Sequence, residues 1–461
     1  CVCWESCIFS KKSDFCLVAI FLKASLYFFA VALRSGQWEL LRSEKLRFLN
    51  LFKQRVVILT LILSVILFNA CDGIIWIRAS GELDIAVERV RTTLESQINK
   101  TVPSLSVLVQ TPDGVYFSSS VASGVEPITP DTYFRFASNT KNFTATAILK
   151  MHQDGWLDYT DCITENIPGS DIPYVPETIA WQIPYKNQIT IRHLLQHSAG
   201  VKDVSNDEEA VWNNMSYVQY KLMKDPNHQF SSEELVEQNV IHNFYYFSPG
   251  TDHHYSNTGY TILSEIIARV YSYRSGVSKT YGDYMRDYIY GESTPVPLSI
   301  HFPSRADDRE LPFPFVCGTI YTNDQEKVVL SCKDNMSAHV TEGNGYGTMR
   351  QINKYIRTLM KGANVLTADN VALMLTDIAP GKADYSLGCI HVENLGVGHN
   401  GATHGYLSLM LYDPGYDVSV VVMMPMWDES KVDFFMNCFN TLNYAGWAAR
   451  EALGYPGKPV S

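Results

Sequence analysis

The chain has 461 residues, 46% of them hydrophobic and 18% charged. That balance excludes wholesale disorder and leaves room for one large domain or two smaller ones. The net charge of -11 argues against nucleic acid as a partner.

Residues 1–71 read as a leader. The first methionine is Met151, so the expectation is either that the reading frame runs upstream of the true start or that translation begins at a non-Met codon. Lys53 and Arg55 precede an apolar run over 56–67, followed by Phe68, Asn69, Ala70 and Cys71. A basic stretch, a short apolar run and a small residue make a secretory signal over 53–71. Cys71 is the candidate lipidated residue, with Phe68 where leucine is usual, and a simple membrane anchor is the alternative. Export to the periplasm or cell envelope is expected, with N-terminal attachment to a membrane.

The globular part is expected over 72–461. Leu83, Val87, Val90, Leu94 and Ile98 mark an amphipathic helix. Residues 104–109 and 114–121 read as strands around a Pro112-Asp113-Gly114 turn. A helical run over 142–154 follows Phe134-Arg135-Phe136-Ala137-Ser138-Asn139-Thr140-Lys141. This opening suits an α/β sandwich. Residues 155–340 mix helical periods with Pro, Gly and Asn loops and read as a mainly helical insertion. Beyond it, strands are expected over 387–392, 407–412 and 418–424, then a closing helix over 429–453. Five cysteines lie in the globular part, so they cannot all pair with one another. Cys317 and Cys332 flank a plausible hairpin that a disulfide would clip; buried free thiols are the alternative.

Three stretches carry chemistry. Ser138 is placed at the helix N-cap, with Lys141 on the same face three residues on. A serine hydroxyl needs a base beside it, and a partly buried lysine can serve. Tyr255 and Asn257 follow a Ser248-Pro249-Gly250 turn and precede a helix over 260–271. A tyrosine beside a lysine cation gives up its proton more easily, and the Asn257 amide can bond both substrate and Lys141. A second Tyr-x-Asn, at Tyr321, falls in the expected hairpin and is set aside. The third stretch, Gly398 to Tyr406, reads as a glycine-rich turn before a strand. There the N–H groups of Ala402 and Ser138 would form an oxyanion hole, Gly401 would let substrate approach closely, and His399 would face the substrate. His399 is expected to be mostly neutral at neutral pH and to gain charge toward about pH 6. His193 and His197 stand four apart, but Leu194 occupies the position where a zinc protease carries glutamate, so no metal is expected. No cofactor is expected either.

Together these residues resemble the serine β-lactamase and penicillin-binding-protein superfamily. Tyr255-Ser256-Asn257 points to its class C β-lactamase-like branch. Residues 132–141 are similar to that branch's strand-to-helix entry, and 190–200 to its T-I-R-H-L-L segment, with Ala199 where serine is common. The resemblance spans roughly residues 85–450 and implies an antiparallel sheet flanked by helices with an inserted helical region. Its Lys-Thr-Gly motif is replaced by His399-Asn400-Gly401. The stretch 201–246 is long and would supply a lid or one cleft wall. The resemblance implies a serine hydrolase working through an acyl-enzyme on a D-amino-acid peptide, an ester or a β-lactam, with a small-molecule or peptidoglycan-like substrate. The alternative is a penicillin-binding or sensor protein that stays acylated, or a pseudoenzyme.

Overall fold

In a computed structural model, the described residues are 77–78, 80–322 and 328–460. The expectations for the leader, including the signal over 53–71 and Cys71, lie outside them.

Seven strands make the main sheet, in the order β1-β3-β2-β11-β10-β9-β8. They are β1 (Ile77–Arg78), β2 (Ser104–Thr111), β3 (Gly114–Val121), β8 (Ile390–Val392), β9 (Gly396–Thr403), β10 (Tyr406–Asp413) and β11 (Val418–Met424). All neighbouring pairs are antiparallel except β1 with β3. Alternation along β11 divides the core in two. Val418, Val420, Val422 and Met424 join a cluster under α1 (Gly81–Ile98) and the closing α10 (Val432–Ala452). Val421 and Met423 face the opposite layer, built on α2 (Thr140–Gln153). The expected sandwich of helices on an antiparallel sheet is the observed architecture.

Local chemistry sets the ends. The Ser80 hydroxyl caps α1 by accepting from Leu83 N, and Asn99 ends it in the left-handed conformation. The helices α3 (Ile191–Leu195) and α4 (Tyr217–Lys224) each begin with a capping box. Then come α5 (Ser232–Ile241), α6 (Asn257–Ser275), and α7 (Tyr281–Tyr284), which continues as a π-helix over Met285–Tyr290. Beyond Tyr290 the stretch expected as a mainly helical insertion carries, among the described residues, only a 3-10 turn, Ser337–His339, and a strand hairpin. Residues 318–331 form β5 (Gly318–Tyr321) and β6 (Val328–Ser331), which join β12 (Met426–Asp428) in a three-stranded sheet. Cys317 and Cys332 close this hairpin as a disulfide. Gly318 and the turn residue Gly405 lie backbone against backbone; a Cβ on either would meet main-chain atoms of the other's segment at 2.8 Å. β4 (Tyr133–Arg135) pairs with β7 (Tyr346–Thr348), which leads into α8 (Met349–Met360); α9 (Ala368–Thr376) follows.

Two expectations change here. The stretch expected as a turn before a strand is itself β9. Its glycines hide the alternation by which a strand is recognised. The strand expected over 387–392 is reduced to β8, because Ser386 N turns back to donate to Cys389 O.

Candidate active site

Ser138 does not cap a helix. It sits in a 3-10 turn, Ala137–Asn139, and α2 begins at Thr140 without a side-chain cap. Its hydroxyl is thereby left for other work. Ala137 before it has φ 53, a conformation costly for a residue with a Cβ. The turn is pressed against β9: a Cβ on Gly401 would stand 2.3 Å from Phe136 O and 3.0 Å from Ala137 Cβ. Only glycine allows this approach, and it brings the β9 edge beside Ser138.

Lys141 is fully buried. Its Nζ lies 3.2 Å from Ser138 Oγ, 2.7 Å from Asn257 Oδ1 and 2.8 Å from the Glu342 carbonyl oxygen. The same nitrogen lies 3.4 Å from Glu342 Oε2 and 4.7 Å from the centre of the Tyr255 ring. Burial raises the Tyr255 pKa above its usual value; the Lys141 charge and hydrogen bonds to Lys141 and Ser138 pull it back only in part. The expectation of an easily ionised tyrosine is thus corrected: desolvation outweighs the cation, and the phenol rests protonated. Asn257 opens α6, and its N–H donates to Asp203 Oδ2 at 3.0 Å. Burial lifts the Asp203 carboxyl to about 6.

His399 lies on the wall opposite Lys141 and is completely buried. Its Nδ1–H donates to Asn400 O at 2.6 Å, and its Nε2 accepts from the Tyr385 hydroxyl at 3.1 Å. Burial, with Lys141 nearby, lowers its pKa to about 3. The expectation that His399 gains charge toward pH 6 is overturned: desolvation keeps it neutral. Ala402 pairs with Leu407 at the position next to the Thr403–Tyr406 pair that closes the turn. By the alternation of an antiparallel ladder, its N–H points away from β10 toward the free edge. Ser138, Tyr255, Asn257, His399 and Ala402 line one cavity of about 810 Å³. Asn206, Val218 and Leu222 form its side wall, from the long stretch 201–246.

Sequence reasoning missed the supports of this constellation. Glu342, His339, Asp203 and Tyr385 arrive from loops with no spacing that links them to Ser138. His193 and His197, read as structural histidines rather than metal ligands, do pack and hydrogen-bond around the site. His197 Nδ1 accepts from Ser256 N at 3.1 Å, and its ring centre lies 4.2 Å from that of Tyr255. His193 Nδ1 accepts from Thr190 N in the α3 capping box. The competing Tyr321 points elsewhere, its hydroxyl donating to Thr101 O.

A family model described as Beta-lactamase matches residues 90–432. The chain belongs to the Beta-lactamase family of serine hydrolases. It is 26% identical over 208 residues to Protein flp of Staphylococcus aureus (strain MW2), covering 44% of this chain and 36% of that one. It is 30% identical over 164 residues to Penicillin-binding protein 4* of Bacillus subtilis (strain 168), covering 36% and 30%. The match spans about a third of these relatives' length. Among solved structures, D-amino acid amidase from Ochrobactrum anthropi SV3 superposes with TM-score 0.61 at 20% identity, covering 81% of this chain and 99% of that one. The D-stereospecific amidohydrolase from Streptomyces sp. gives 0.60 at 20%, covering 78% and 98%. At that identity the likeness concerns the fold.

Proposed function

We propose that the protein is an exported serine hydrolase that opens amide or ester bonds of substrates without a carboxylate, D-amino-acid amides and esters foremost, through an acyl-enzyme on Ser138. The observation that carries this reading is Lys141 Nζ at 3.2 Å from Ser138 Oγ, on the surface of a cleft. Ser138 Oγ bonds to the substrate carbonyl carbon as its O–H proton passes to Lys141 in its free-amine form, the form in which it can act as base. The oxyanion meets the N–H groups of Ser138 and Ala402. The protonated Tyr255 gives its proton to the leaving nitrogen or oxygen and recovers one from Lys141. Water then repeats the attack on the ester, with Lys141 and Tyr255 receiving its proton.

Substrate charge follows from His399. A permanent cation at this wall would hold a substrate carboxylate. A neutral imidazole already engaged at both nitrogens offers none. Penicillins, which carry a carboxylate, are therefore poorer substrates than neutral esters and amides. The two amidases named above, alike in fold, support the amide reading. Export rests on the leader-like 53–71 and on the Cys317–Cys332 disulfide, a bond favoured outside reducing compartments. The test sets a neutral nitrophenyl ester, D-phenylalanine amide, a D-Ala-D-Ala peptide and a fluorescent penicillin side by side, with intact-mass detection of the acyl-enzyme. Turnover of the ester and the amide, which lack a carboxylate, above the penicillin and the D-Ala-D-Ala peptide, which carry one, is expected. Stable acylation without turnover would instead favour a penicillin-binding sensor, and no acylation a pseudoenzyme.

A further inference from the structure

We propose that Glu342 and His339 are positioning residues that set the proton balance of Lys141, with His339 as the end of the chain that meets solvent in the cleft. The inference rests on the serine–lysine reading above and adds to it two residues from a loop unlike either motif.

The loop is built for the purpose. His339 ends a 3-10 turn, Ser337–His339. Thr341 holds φ 74, an outlier for a β-branched residue. It is pinned there because its hydroxyl donates to Tyr260 O at 2.8 Å and its carbonyl accepts from Thr144 Oγ1 at 2.7 Å. The strained turn delivers both acceptors of Glu342, the carbonyl at 2.8 Å and Oε2 at 3.4 Å, to Lys141 Nζ. The far carboxylate oxygen, Oε1, meets His339 Nδ1 at 2.5 Å. His339 and Glu342 both line the cavity that holds Ser138.

The carboxylate is not needed to complete the hydrogen bonding of Lys141. Three donors already find Asn257 Oδ1, the Glu342 carbonyl and Ser138 Oγ. What Glu342 adds is negative charge, which favours the ammonium. What His339 adds, when protonated, is a cation that offsets that charge. Burial pushes Glu342 up, but His339 and Lys141 outweigh it and hold the carboxyl below its usual value. Burial pushes His339 down, and Glu342 more than reverses this. The other groups acting on the pair are Asp203 from the loop before α4, Tyr255 from the loop before α6, and His404 from the β9–β10 turn. Lys141 would thus work as a base between two opposed charges, and each can be removed separately.

The experiment measures kcat/KM for a neutral nitrophenyl ester from about pH 5 to about pH 9 on the full chain. It follows confirmation, by intact mass, that a fluorophosphonate probe labels Ser138. Glu342→Gln removes the anion and is expected to move the acidic limb down by about one pH unit. His339→Gln leaves the anion uncompensated and is expected to move it up by a similar amount. His339→Lys restores a cation and should return the limb to the wild-type position or below. These signs hold whether Lys141 or Tyr255 takes the proton, because the charge acts on both alike. Residues with a merely structural role would lower the rate without moving the limb. Absence of label on wild-type Ser138 overturns the serine–lysine reading and this inference with it. Labelling with limbs that stay put, or move together, overturns the inference alone. If Glu342→Gln does not fold, the His339→Gln and His339→Lys pair decides by the same signs.

Discussion

The two sides of the cleft handle buried charge in opposite ways. On the α2 side, Lys141 is buried with an anionic partner beside it, Glu342, itself backed by His339. On the β9 side, His399 is equally buried but has no anionic partner, only Asn400 O and the Tyr385 hydroxyl, and it stays neutral. Burial alone removes charge; burial with a partner retains it. The cavity thus sets buried Lys141, with its anionic partner, against a neutral buried His399, while the exposed pair Lys382–Asp384 supplies the charge that lines it near Tyr385.

The largest test of this contrast is chemical. Ser138→Ala should abolish covalent labelling, and Lys141→Ala should lower kcat/KM by at least about 10²-fold, the usual range for a general base. A persisting adduct in Ser138→Ala, seen by intact mass, would name another nucleophile. Next comes stability. Lys141→Met leaves Glu342 with only His339, and removing one partner of a buried ion pair costs about 3–5 kcal/mol. Chemical denaturation should show a loss of that order, whereas an unchanged midpoint would mean that the pair is not held as drawn.

A smaller effect lies in acid. The unfolded chain protonates His399 near the usual value of about 6.5, the folded protein only near 3. Between these values the unfolded state binds more protons, so stability falls as pH drops. The contribution is full above about pH 6.5 and changes by up to roughly 1.4 kcal/mol per pH unit below it. His197, also lowered well below its usual value by burial, adds a slope of the same sign. His339, raised by Glu342, has the reverse sign: its contribution is complete below about pH 6.5 and is lost above its folded pKa. Melting temperature against pH for His399→Gln should be flatter on the acid side than for wild type.

The smallest effect is in selectivity. The ratio of kcat/KM for a matched anionic and neutral substrate should stay flat from about pH 5 to about pH 8, because His399 does not titrate there. His399→Lys should raise that ratio. A wild-type ratio that climbs toward pH 6 would show that a cation forms on the β9 wall after all.

The sequence shows the parts of the site that local spacing constrains. Ser138 and Lys141 are one helical turn apart, Tyr255 and Asn257 share one loop, and both pairs meet as read. The sandwich was equally legible from Leu83–Ile98 and from the apolar runs at 407–412 and 418–424. What was hidden depends on tertiary contact. Glu342 lies 201 residues from Lys141, and nothing in its own surroundings announces a carboxylate aimed at a lysine. The neutrality of His399 and the resting protonation of Tyr255 are products of burial, which no spacing encodes. β9 escaped because Gly401 answers to Phe136 and Ala137, which press against it, and Gly396 and Gly398 to the β10 main chain, rather than to a strand pattern.

The contact between Gly318 and Gly405 bears on how this wall can vary. Each glycine is fixed by main-chain atoms of the other's segment, and main chain cannot swing aside as a side chain can. A library randomised at both codons should therefore return glycine at both, with no compensating double replacement. Recombination with a related gene should tolerate a crossover between these two positions only where both parents carry the pair.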